Sequence, residues 1–206
     1  MPPKSAILRF YEELNDFLNV RHGKRELTYR FYGTPKVKDA IESYGVPHTE
    51  VDLILANGES VNFDYKLKDQ DRIAIYPKFE TFDISGVSKL KNSPLREIKF
   101  ILDVHLGKLT RYLRLMGFDC FYHNQLEDKE IVETAQKYKR IILTRDIGIL
   151  KYNDVTHGYY IRSDDPRNQL REVIKRFDLK NKVNLFTRCL ECNGFIHKVS
   201  KNKVEE

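Results

Sequence analysis

The sequence predicts two units in series: a small α+β unit, then an α/β unit built on a parallel sheet. Three observations carry this. The first half holds short alternating strands around one helix, whereas beyond residue 95 strands and helices alternate regularly. Ile98–Val104 (IKFILDV) and Arg140–Asp146 (RIILTRD) are apolar runs too short for helices, as strands buried on both faces require. Between the two patterns, Ser85–Pro94 (SGVSKLKNSP) is polar, rich in small residues and closed by proline, the composition of a linker.

In the first half Ile7–Phe10 reads as a strand, and Leu27, Tyr29 and Phe31 alternate with polar residues as a second. Thr34-Pro35 offers an N-cap and a proline at the first helical position. The helix that follows carries Val37, Ala40, Ile41 and Tyr44 on one face and stops at Gly45. Val51–Leu55, a turn at Asn57-Gly58, and Arg72–Tyr76 add further strands. This order is that of a ubiquitin-like β-grasp, expected over residues 1–84.

After the linker, residues 95–186 are expected to form the α/β unit. Its first strand ends at Asp103, and a helix runs from about His105 to Met116, stopped by Gly117. Phe118–His123, Arg140–Thr144 and Gly158–Arg162 are the other strands. Lys129–Tyr138 and Pro166–Phe177 are the other helices, with Asp165 capping the last. Residues 187–206 form a short tail with a knuckle signature, Cys189-x-x-Cys192-Asn193-Gly194.

Ligands of open parallel sheets sit beyond the carboxyl ends of the strands. Asp103 and Asp146 therefore lie side by side where chemistry is expected, and paired carboxylates attract Mg²⁺ or Mn²⁺. On the residues alone Asp128 is better explained as a helix cap, though a cap carboxylate can also face a metal. Asp164 follows the fourth strand and is the weakest metal candidate, Asp165 being better explained as a cap. Lys108, Arg111 and Arg114 line one side of the helix after Asp103, and Arg167, Arg171 and Lys175 form a ladder on the last helix. Each basic row either grips a phosphate backbone or is a solvated face. For zinc, Cys189 and Cys192 have His197 as a third candidate ligand and no evident fourth.

Composition narrows the classes. The net charge is +6, and the first 93 residues balance, so the whole excess falls in the half with the strand-end aspartates. A polyanionic partner suits it. No apolar run approaches the roughly 20 residues of a membrane span, the N-terminus lacks a signal-peptide core, and three cysteines do not make a disulfide scaffold. The expected compartment is cytoplasmic. There is no glycine-rich phosphate loop and no nucleophile elbow.

The residues resemble the PIN-like ribonucleases of the Mut-seven C-terminal type. The matching segments are FILDVHLGKLTRYLRLMGFDC (100–120), LEDKEIVETA (126–135), RIILTRDIGIL (140–150), NQLREVIKRF (168–177) and TRCLECNG (187–194). RFYEELNDFL (9–18) and AIYPKFETFDIS (74–85) resemble the ubiquitin-like domain fused ahead of such nucleases. The resemblance implies Mg²⁺- or Mn²⁺-dependent cleavage of RNA with Asp103, Asp128 and Asp146 as ligands, and Arg111, Arg114 and Arg145 on phosphates. It also implies a terminal zinc ribbon, whose usual second cysteine pair is not in this sequence. A partner protein or RNA is the expected contact of the β-grasp unit. A sulfur-carrier role is unsupported, because the strand runs on through Pro77-Lys78-Phe79 rather than ending in Gly-Gly. The rival reading is a catalytically inactive RNA- or protein-binding adaptor that keeps the fold.

Overall fold

The structure is a computed structural model that describes residues 2–19, 25–77, 88–90 and 97–199. Its contacts divide the chain into two compact units. The first comprises Met1–Pro94 with Leu150–Thr156, the second Leu95–Ile149 with His157–Glu206. Most of the expected linker, 85–94, lies outside the described residues. Ser88–Leu90 is described, and it lies along the first unit: Ser88 Oγ donates to Asp52 O, and Leu90 packs on the core.

Five strands form the sheet of the first unit: β1 (Lys4–Phe10), β2 (Leu27–Phe31), β3 (Val51–Ala56), β4 (Glu59–Val61) and β5 (Arg72–Pro77). Their order is β2-β1-β5-β3-β4, with β1 and β5 parallel and the other pairs antiparallel. The helix α1 (Val37–Ser43) buries Val37, Ala40 and Ile41 against it. This is the β-grasp arrangement. The helix starts later than Thr34-Pro35 suggests: its N-cap is Lys36, whose N–H donates to Asp39. Asn57 and Gly58 both take positive φ, the two-residue turn that pairs Ala56 with Glu59. Leu150–Thr156 completes this unit: Val155 is buried, its carbonyl lies 2.8 Å from His48 Nε2, and Lys151 Nζ donates to Glu42 O. No linear boundary expresses that return of the chain.

The second unit holds four parallel strands, β6 (Lys99–Leu102), β7 (Asp119–Phe121), β8 (Ile141–Thr144) and β9 (Gly158–Tyr160), in the order β7-β6-β8-β9. Alternation along the strands separates two faces. Phe100, Leu102, Cys120, Ile141 and Leu143 share a core with α2 (Gly107–Leu115), and Val173 of α5 (Pro166–Arg176) joins it. Meanwhile α3 (Asp128–Tyr138) packs on β6 and β8. A four-residue α4 (Ile147–Leu150) follows β8. The chain leaves β6 for β7 on one side and β8 on the other, so the carboxyl ends of β6 and β8 flank a topological switch point.

The helix expected over 105–116 is divided. Asp103 accepts the His105 N–H and opens a 3₁₀ turn, Val104–Leu106, before α2 begins at Gly107. Gly117, at φ +94°, ends α2; a Cβ there would lie 2.2 Å from Asn184 O.

Candidate active site at the strand switch point

Asp103 follows β6 and is 3% exposed. Both its oxygens are held: Oδ1 accepts the His105 N–H at 3.1 Å, and Oδ2 accepts the Thr144 hydroxyl at 2.7 Å. Thr144, fully buried at the end of β8, also accepts the Asp146 N–H at 2.8 Å. One hydroxyl thus ties the two strand-end aspartates together. Asp146 is exposed and accepts the Gly148 N–H at 2.6 Å, capping α4. A Cβ at Gly148 would come within 2.9 Å of that carboxylate oxygen.

Asp128 enters from the other face. It is the first residue of α3 and not its cap; that position belongs to Glu127, whose N–H donates to Glu130. Burial raises the Asp128 carboxyl above its ordinary range, and repulsion from Asp146, Asp103 and Glu127 adds to it. Asp128 therefore lies within electrostatic reach of Asp146 and Asp103. Among the described residues, no three His, Cys, Asp or Glu side chains converge closely enough to hold a metal ion. The donors are nonetheless all hard oxygens, and Asp128 and Asp146 are exposed beside a fixed Asp103.

Two residues that sequence reasoning missed shape this site. Thr144 is one; its signal was a polar residue closing an otherwise apolar strand. Tyr122 is the other: its hydroxyl donates to Val104 O at 2.9 Å, fixing the turn after Asp103. A Cβ at Gly107 would sit 2.8 Å from that hydroxyl.

The basic residues separate into two groups. Lys108, Arg111, Arg167 and Arg171 are exposed, with Arg111 paired to Glu191 at 2.9 Å and Arg171 donating to Asn168. Arg114 and Arg145 are held inside the fold. Arg114 is 4% exposed and donates to Cys120 O, Leu190 O and Glu191 O. It does not share the solvated stripe of Lys108 and Arg111, because the turn through Leu190 and Glu191 covers it. Arg145 donates to the carbonyls of Ile161, Arg162 and Ser163 and pairs with the exposed Asp164.

The Cys189–Gly194 turn docks on the edge strand β7. Asn193 extends the edge, accepting the Cys120 N–H and donating to Asp119 at 2.9 Å. The Cys189 N–H donates to Gly194 O, closing the turn. The Cys189 thiol is held below its usual range by the N–H groups of Cys192 and Glu191 and by the Cys192 side chain. Cys120 is fully buried, and burial pushes its thiol up, so it stands apart from this pair.

Residues 98–206 match the Mut7-C RNAse domain model, which is more than half of the chain. The chain belongs to the Mut7-C RNase family. Residues 3–83 match the Mut7-C ubiquitin model, so a ubiquitin-like domain precedes the RNase domain, as in PIN-like ribonucleases of this architecture. No match was found among curated proteins or among solved structures. Mut7-C membership supports a nuclease-type enzyme for the parallel-sheet unit. No helix among the described residues is long and apolar enough to cross a membrane.

Proposed function

We propose that the chain is a metal-dependent ribonuclease that hydrolyses RNA phosphodiesters at the β6–β8 switch point. One observation carries the reading: a single buried hydroxyl, Thr144, links Asp103 to Asp146; the Asp128 carboxyl, raised first by burial, is raised further by repulsion from both. Carboxylates so placed are stabilised by a cation. Asp103, Asp128 and Asp146 would hold Mg²⁺ or Mn²⁺, which supplies charge stabilisation to the attacking and leaving oxygens of a phosphodiester. Asp103 is fixed through Thr144 and His105, and the exposed Asp128 and Asp146 would complete the ligand set. Lys108, Arg111, Arg167 and Arg171 hold phosphates of the strand. Arg114 and Arg145 instead position the Cys189–Gly194 turn and the loop after β9.

Cys189 and Cys192 would give a zinc ion two thiolates; no described residue supplies the other two ligands. The β-grasp unit is read as a docking or RNA-positioning module. The non-catalytic adaptor is the second reading, favoured by the absence of a converged acidic group among the described residues.

Cleavage of labelled single-stranded and structured RNAs in Mn²⁺, Mg²⁺ or EDTA tests the proposal. Cuts that require the metal are expected. RNA bound but uncut in every metal would select the adaptor.

A further inference from the structure

The edge strand β7 carries Phe121 beyond the cover of α3, which packs on β6 and β8. Phe121 is in register with Ile101, two residues before Asp103, and is 39% exposed. Between it and the helix lies a groove of about 540 Å³ lined by Phe121, Glu133, Thr134, Lys137, Tyr138 and Arg140. Its two aromatic rings are exposed, Tyr138 by 53%, and each has a cation against it. The Arg140 guanidinium lies 5.8 Å from the Phe121 ring centre, and Lys137 Nζ lies 5.2 Å from that of Tyr138.

Nothing in the acidic centre uses these residues. The helix that lines the groove is nevertheless the one that begins at Asp128. Lys137 lies nine residues further on, roughly 13 Å along the axis. Arg140 is immobilised by Asp119 at 2.7 Å and by Phe100 O, so it steadies the Phe121 ring and does not reach outward. Lys137 makes no ion pair among the described residues and is the cation available to a phosphate. Glu133, which pairs with Lys129 at 3.8 Å, and Thr134 are the oxygen-bearing side chains of the lining besides the Tyr138 hydroxyl.

We propose that this groove is a base-stacking subsite for single-stranded RNA, taking an unpaired nucleotide of the strand whose phosphodiester lies at the aspartates. Aromatic faces beside cations are what unstacked bases and their phosphates need, whereas a duplex keeps its bases stacked and cannot fill it. The inference rests on RNA being the substrate.

The test compares binding, in EDTA, of a labelled single-stranded RNA of about twelve nucleotides with that of its duplex. The proteins are the full chain as wild type, Phe121→Ala, Tyr138→Ala and Lys137→Ala, with cleavage in Mn²⁺ followed in parallel. All three side chains are exposed, so melting temperatures near wild type are expected and are checked first. Wild type should prefer the single strand, and each aromatic variant should weaken that binding about tenfold while duplex binding is unchanged. Lys137→Ala should weaken the single-strand complex and reduce its salt dependence. Variants that bind and cut like wild type would overturn the groove and leave the nuclease standing, its occupant then being something other than RNA. Groove-dependent binding without cleavage would uphold the subsite and remove the nuclease. No RNA binding by wild type would overturn both.

Discussion

Thr144 and Asp128 have opposite effects on the same site. Replacing Thr144 by valine keeps the shape but leaves Asp103 Oδ2 and the Asp146 N–H without their shared partner. A stability loss of about 1–3 kcal/mol is expected, with cleavage falling further because both aspartates lose their positions; melting and single-turnover rates check it. Asp128 carries strain of the other sign. A carboxyl whose native pKa is raised disfavours the folded state above that pKa and ceases to do so as pH falls through it. Asp128→Asn should therefore leave the metal-free protein as stable or slightly more so, by less than about 1 kcal/mol at this exposed position. It should also abolish any rise in melting temperature on adding Mn²⁺. Asp103 and Asp146 were legible as residues ending apolar strands. Thr144 was not, because a hydroxyl inside a strand is identified only by what it touches. Arg114 was misread for a related reason: helical spacing gives a face, but only the tertiary fold shows that the turn through Leu190 and Glu191 covers it.

The elements themselves were largely written in the pattern of the chain. Apolar runs and alternation located each strand of the parallel sheet within a few residues, and Asp165 caps α5 as its sequence suggests, accepting the Arg167 and Asn168 N–H groups. What escaped was non-local. The Asn57-Gly58 turn implied a strand after it, but the bounds of β4 are set by its partner β3, and the docking of 187–195 depends on β7 offering an open edge. Asp119 is the centre of that docking. Burial pulls its carboxyl up, but hydrogen bonds from Arg140 and Asn193 and the charges of Arg140 and Arg188 outweigh this and hold it below the usual range. A depressed native pKa stabilises the fold above the unfolded-state pKa and loses that contribution as pH falls through the native one. Asp119→Asn should cost about 2 kcal/mol at neutral pH, with the difference from wild type shrinking in strong acid; denaturant melts at several pH values measure it. Protease cutting within 183–199 should quicken in the same variant.

At the scale of the whole molecule, charge and family point the same way. The excess of basic residues falls in the half that matches the Mut7-C RNAse domain, and the ubiquitin-like half is balanced. A cationic unit around an acidic centre suits a polyanion that must be gripped along its length and met by metal at one point. The direct measurement is single-turnover cleavage of a single-stranded RNA in Mn²⁺ by wild type and Asp146→Asn, with RNA affinity taken in EDTA for both. The expected result is a loss of cleavage of at least about a hundredfold in the variant, with its melting temperature and RNA affinity close to wild type. Equal cleavage by the two proteins would contradict the assignment of the strand-end aspartates as the catalytic centre.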